Sequence, residues 1–278
     1  MSWFEALIAG IIQGLTEFLP VSSSGHLVIY ATLFGEGEGG NLGFNVFLHF
    51  ATLIAVIVVY RKDVWLLIRE LFGAIGDIFK GKPDFKSPDR RYLLMVVIAT
   101  IPAVLVGGAF KVFEMDAMLE NIFIVAVMLI VTAVFMFLVD RLEDKKLSAA
   151  NAPLSKALLV GIIQAIAILP GLSRSGSTIF AGVLVGFKKE FAVRFAFILS
   201  IPAILGASVV ELNSAMKNGF GIEPVSLVIG FIAALFFGIL AIRLIKLLIN
   251  SNKFFIFGIY CLCVSVFAFL VGFGVVQA

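Results

Sequence analysis

Two short turns inside otherwise apolar sequence hold most of the residues able to do chemistry. The first is Pro20-Val-Ser-Ser-Ser-Gly25, with Glu17 three residues before it and His26 immediately after. The second is Pro170-Gly-Leu-Ser-Arg-Ser-Gly176, with Arg174 near its centre. A charge buried in hydrocarbon costs at least ~2.5–3.5 kcal/mol on insertion scales, so a charged residue there marks function by default. The competing reading is a structural ion pair locking two helix tips. A helix that opens on a serine–glycine turn offers an anion its free N–H groups and the positive end of its dipole. Ser22, Ser24 and Gly25 form one such nest, and Ser173, Ser175 and Gly176 the other. Any single serine among them could equally be a helix cap. Two nests with one Arg, one His and one Glu make a constellation suited to phosphoryl chemistry. Gln13 lies one helical turn before Glu17 on the same face, where it can orient the carboxylate or contact a phosphate. His49, at the start of an apolar span, reads as a packed or interfacial histidine. Gln164 reads as a hydrogen bond to the opposing turn.

The elements that position these residues are membrane helices. Of the 278 residues, 61% are hydrophobic and 14% charged, against about a quarter charged in soluble domains. The apolar residues fall in long runs, which excludes disorder and collagen-like structure and gives no nucleic-acid partner. Runs 44–60, 92–110, 121–139, 191–210, 224–242 and 254–276 are each long enough to cross a bilayer. Two further stretches, 3–34 and 157–187, are broken by the two turns. The apolar piece after each break spans only roughly 12–15 Å, too short to finish a crossing. Each is therefore expected to dip in and return to the same side, with its polar backbone lining protein or a cavity. The basic residues test this. Seventeen of them, in loops 61–91, 140–156, 188–189 and 243–253, fall on one side if both dips are re-entrant. The opposite loops, 34–43, 111–120 and 211–223, hold only Lys111 and Lys217. The basic side is then cytoplasmic, with both termini and the site facing outward. The N-terminus has no basic signal-peptide region and is expected to be retained. Segment 64–72 is amphipathic and fits a helix on the inner surface, although a plain cytoplasmic connector also suffices. Cys261 and Cys263 face different directions and read as packing or lipid-facing residues.

The dips are related to each other. Gly10-Ile-Ile-Gln13 matches Gly161-Ile-Ile-Gln164 at an offset of 151, and Ser22, Ser24 and Gly25 match Ser173, Ser175 and Gly176 at the same offset. Each dip precedes three crossings, so the second copy is expected to be inverted and the two tips to meet near the midplane. The fold class is all-α: one polytopic domain, 1–278, with repeats 1–140 and 141–278, six crossings and two re-entrant elements.

The stretch from Gln13 to His26, taken with Pro170 to Thr178, resembles the undecaprenyl-diphosphate phosphatase family over the whole chain. The resemblance implies that Glu17, Ser23, His26 and Arg174 are catalytic, with Thr178 joining the binding groups. It implies hydrolysis of a lipid diphosphate to recycle the carrier for envelope synthesis in a bacterial inner membrane, an association with bacitracin resistance, and a divalent cation, Mg²⁺ or Ca²⁺. Gln13 stands where some members carry Glu, which leaves Glu17 as the main carboxylate. Arg174 would clamp phosphate oxygens, and Ser23 or His26 would attack phosphorus. Glu17 would act as base or hold the cation, with substrate oxygens completing the shell. Membrane lipids are the expected surroundings, and a homodimer is left open. The rival reading is an inverted-repeat transporter for a lipid phosphate or small anion, which would bind without cutting. The acid-phosphatase-like lipid phosphatases are rejected, because Phe180 and Leu184 stand where they need His and Asp.

Overall fold

Backbone in hydrocarbon must satisfy its own N–H and C=O groups, and this chain does so with helices. The computed structural model describes residues 2–34, 42–81, 87–113, 121–218 and 223–276. Among these residues there are eleven α-helices and no strand beyond one isolated bridge between Leu147 and Phe187. Helix α1 (Trp3–Phe18) starts on a capping box, in which Ser2 accepts from the Glu5 N–H and Glu5 returns the bond. After residues 19–22, α2 (Ser23–Phe34) follows. Then come α3 (Leu42–Val59), α4 (Arg61–Phe79), α5 (Pro88–Val112) and α6 (Ile122–Arg141). The second half holds α7 (Leu154–Ile166), α8 (Arg174–Leu184), α9 (Lys189–Asn218), α10 (Pro224–Leu248) and α11 (Phe255–Gly272).

Five helices, α5, α6, α9, α10 and α11, are long and apolar enough to cross a membrane, and α3 makes six when its bent partner α4 is included. These match the six expected crossings within a few residues. The two expected interruptions are also present. Helix α2 has 12 residues and α8 has 11, roughly 16–18 Å at 1.5 Å per residue, well short of a bilayer core. Helix α4 leaves α3 at 91°. Its exposed Trp65, Ile68, Phe72, Ile75 and Phe79 recur at helical spacing, as an interfacial helix requires. Arg90 at the start of α5 ties α4 down, donating to Glu70 (3.1 Å) and Asp77 (3.2 Å).

Arg194, near the start of α9, is partly exposed and engaged. Its Nη1 lies 3.5 Å from Asp63, and its guanidinium stands over the rings of Tyr92 and Phe191. Cys261 is buried, Cys263 exposed, and both are free. Residues 35–41, 114–120 and 219–222, most of the loops expected outside, lie beyond the described residues, as do 82–86.

The short helices are held by very close backbone approach. Helix α1 packs on α10, and α7 packs on α5. A Cβ on Gly10 would stand 2.4 Å from the Gly230 carbonyl oxygen, and one on Gly161 would stand 2.3 Å from that of Ala99. No side chain fits at either point, and in membranes such contact replaces the missing hydrophobic drive. Gly161→Ala should therefore destabilise the protein by about 1–3 kcal/mol through overpacking. Gly76→Ala, with open space around its Cβ, should not. Thermal unfolding of both variants in detergent checks the difference.

Candidate active site

The two turns meet. Phe18 ends α1 because Pro20 cannot continue it, and Ser22 crosses into positive φ (69°) before α2 begins. Ser22 Oγ then accepts the Gly25 N–H at 3.2 Å, while on the other turn Ser173 Oγ accepts the Gly176 N–H at 3.1 Å. The serine pairs repeat as well, Ser22 with Ser24 at 3.4 Å and Ser173 with Ser175 at 3.1 Å. Ser175 Oγ reaches across to donate to the Leu19 carbonyl at 3.3 Å. A Cβ on Gly25 would lie 3.0 Å from Gly171 Cα, and one on Gly176 would lie 3.1 Å from Pro20 Cβ. Both glycines, expected in anion nests, stand where one turn packs against the other.

At this junction Glu17 forms an ion pair with Arg174 through Oε1. Its Oε2 accepts from Ser23 Oγ at 2.9 Å and from Gln13 Nε2 at 3.0 Å. The Glu17 side chain is 2% exposed and that of Arg174 27%, so the carboxylate is buried while the guanidinium remains partly accessible. Gln13 orients Glu17 as its spacing implied. It also lies 3.2 Å from Nδ1 of His49, which is 3.9 Å from Glu17. His49 is therefore part of the cluster, not a bystander. The available signal was its intramembrane position, where a polar side chain needs a partner.

His26 is placed differently. Its Nδ1 lies 2.7 Å from the Ser22 carbonyl and its Nε2 lies 2.8 Å from the Tyr260 hydroxyl on α11. Its ring nitrogens bond neither Ser23 nor Glu17. Ser24 is exposed at the rim. Ser173 is a buried cap, and Thr178 turns its hydroxyl into its own helix, toward the carbonyls of Arg174 (2.8 Å) and Ser175 (3.1 Å). Gln164 was expected to bond the opposing turn, yet its buried amide has no partner among the described residues.

A resident metal ion does not fit these residues. Both Glu17 oxygens are engaged, one of them by a guanidinium, and the described residues contain no group of three or more His, Cys, Asp or Glu able to hold an ion. The arrangement can instead activate a serine beside a carboxylate and present a guanidinium to an incoming anion.

The sequence pattern of the family described as Bacitracin resistance protein BacA matches residues 6–267. The chain belongs to that family. It is 42% identical to the undecaprenyl-diphosphatase of Methanobrevibacter smithii, covering 97% of this chain and 98% of the relative. It is 39% identical to that of Methanococcus vannielii, covering 95% and 98%, and 37% identical to that of Alkaliphilus metalliredigens, covering 94% and 95%. As a BacA family member with five to six apolar spans, the chain is a multi-pass integral membrane protein.

The ion pair should also be visible in stability. Removing either partner alone leaves an uncompensated buried charge, which costs about 3–5 kcal/mol. Glu17→Ala and Arg174→Ala should each be strongly destabilised, and the double variant less so than either. Unfolding of all three in detergent measures the coupling; additive losses would mean the charges are not paired.

Proposed function

We propose that this chain hydrolyses undecaprenyl diphosphate to undecaprenyl phosphate and phosphate, recycling the lipid carrier for envelope synthesis. The observation that carries the reading is the Ser23–Glu17–Arg174 chain, a hydroxyl 2.9 Å from a carboxylate that is itself paired with a guanidinium. Relatives covering nearly the whole length are named undecaprenyl-diphosphatase. An enzyme name shared across full-length relatives disfavours the transporter reading.

The chemistry follows from positions. The prenyl tail stays in lipid while the diphosphate reaches the junction of the turns. Arg174 binds oxygens of the terminal phosphoryl group with its planar fork. The N–H groups of Ser23 and Ser24, which a helix start leaves open, add donors to the same group. Ser23 Oγ attacks the terminal phosphorus as Glu17 takes its proton. The bond from phosphorus to the bridging oxygen breaks and undecaprenyl phosphate leaves. Water then attacks the phosphoserine and His26 Nε2 accepts the water's proton; the bond from phosphorus to Ser23 Oγ breaks as Glu17 returns its proton to that oxygen, leaving phosphate and free Ser23. Gln13 and His49 hold the Glu17 carboxylate in place. A divalent cation fits as a companion of the diphosphate oxygens, not as a ligand-held group of the protein. Chelator should then depress turnover, and Mg²⁺ or Ca²⁺ added back should restore it.

The two halves act as inverted repeats, 1–140 and 141–278, each with a re-entrant element. Three matches at the offset of 151 support this: the Ser22 and Ser173 caps, the serine pairs, and the close approach of Gly10 to α10 and Gly161 to α5. The charge distribution supports a site on the outer face of a bacterial cytoplasmic membrane. In a Cys263→Ala background, cysteine at Phe113 should react with an impermeant thiol reagent in intact cells, and cysteine at Ser87 should not. Both residues are exposed. The reverse pattern would overturn the orientation.

Arg174 gives the decisive kinetic test. Arg174→Lys keeps the charge and loses the fork, and should lower kcat by roughly 10²-fold or more, the scale of one transition-state donor. Arg174→Ala should abolish phosphate release from a long-chain prenyl diphosphate. Monodispersity in detergent checks that each variant is folded. Near wild-type turnover by folded Arg174→Ala would remove the site from consideration.

A further inference from the structure

Helix α11 supplies a residue to this site that no local motif announces. Tyr260 is 44% exposed on a helix whose neighbouring Ile256, Ile259, Leu262 and Val266 face outward. A hydroxyl on such a face needs a partner. It finds His26 Nε2 at 2.8 Å, with the two rings stacked at 5.7 Å and 10° between planes. The adjacent residue fixes this placement. Cys261 is buried against the first turn, its Sγ 3.6 Å from the Pro20 carbonyl, and Ser265 anchors the next turn of α11 to the Ala126 carbonyl at 2.7 Å.

The other ring nitrogen decides what Tyr260 does. Nδ1 lies 2.7 Å from the Ser22 carbonyl oxygen, and a carbonyl can only accept, so the proton sits on Nδ1. In the neutral ring Nε2 then carries a lone pair, and the Tyr260 O–H donates to it. The backbone and the tyrosine thus select one tautomer and one ring plane. We propose that Tyr260 is a positioning residue for His26, fixing the plane of the imidazole and keeping its Nε2 lone pair, in the tautomer set by the Ser22 carbonyl, as the proton acceptor. It yields Nε2 to the water that cleaves the phosphoserine. The inference rests on the role given to His26 above. It places a side chain of the last helix in command of a base on the first turn, more than 230 residues away in sequence.

Tyr260→Phe isolates the hydroxyl, because the stacked ring remains. It should lower kcat about three- to ten-fold, the scale of one hydrogen bond, with KM nearly unchanged. A spectroscopic readout separates positioning from mere packing. The chain has two histidines, so ¹⁵N-histidine labelling in detergent gives two imidazoles, and His49→Ala assigns them. In the wild type the His26 signals should report a single Nδ1–H tautomer with a hydrogen-bonded Nε2. In Tyr260→Phe the Nε2 signal should shift to that of a nitrogen without its hydrogen bond, while the Ser22 carbonyl keeps the proton on Nδ1. Tyr260→Phe added to His26→Ala should cause no further loss. Unchanged kcat and unchanged His26 signals in folded Tyr260→Phe would overturn the proposal, and so would a fall in kcat with no change at His26. If His26→Ala itself remained active, the base assigned to His26 would be wrong, and Tyr260 would have nothing catalytic to position.

Discussion

The contact between Glu17 and Arg174 is the constraint around which the rest of the molecule is arranged. Either charge alone in a low-dielectric interior would cost several kcal/mol. Each is contributed by a different broken helix, from opposite halves of the chain. Neither helix pair can therefore take its place without the other, and the pair fixes how closely the two turns approach. Glu17 spends its second oxygen on Ser23 and Gln13. Both carboxylate oxygens are engaged before any ligand arrives, whereas the guanidinium is partly exposed and retains donors for an anion. That imbalance leaves the guanidinium, not the carboxylate, as the partner able to meet an anion.

Bringing two short helices to this point requires backbone contact elsewhere. Helices α1 and α7 are too short to be positioned by lipid thickness, and they are positioned by α10 and α5 at Gly10 and Gly161. The serine caps keep the last polar backbone groups satisfied at the turns, where no bulk water is available. Several hydroxyls that looked like phosphate ligands are consumed in this way. Ser173 caps α8, Ser175 ties the two turns together, and Thr178 closes its own helix. Ser23 escapes that fate because Ser22, one residue earlier, takes the capping role, leaving the Ser23 hydroxyl to Glu17.

What was legible in the sequence had a local cause. A charge inside an apolar run, a proline-serine-glycine turn and a long hydrophobic span each carry their own energetic signature, so Glu17, Arg174, both interruptions and all six crossings could be read directly. The amphipathic α4 was legible for the same reason. His49 and Tyr260 were not, because each comes from a span with no motif and matters only through contact with another element. The same holds for Arg194, whose partners Asp63 and Tyr92 lie on α4 and α5. Gln164 shows the opposite failure. It matches Gln13 in sequence, but the partner that Gln13 finds in Glu17 is replaced by Ile168 at the matching position.

That replacement points to how a symmetric scaffold becomes an oriented catalyst. At the offset of 151, Glu17 corresponds to Ile168, Ser23 to Arg174, His26 to Ser177 and His49 to Ser200. The capping serines and the packing glycines are kept in both halves, so the geometry is duplicated. The chemistry is not. One half carries Glu17, the Ser23 hydroxyl and both imidazoles, and the other carries Arg174. Gln164 and Ser177, the counterparts of Gln13 and His26, are buried and have no side-chain partner among the described residues. A site built from two identical turns would present like groups to both ends of a diphosphate and could not distinguish the phosphate to be released from the one that stays on the lipid. With the roles proposed for Arg174 and Ser23, a charge on one turn and a hydroxyl on the other give the substrate a single direction of approach, and the pair Glu17–Arg174 holds those two unlike turns in register.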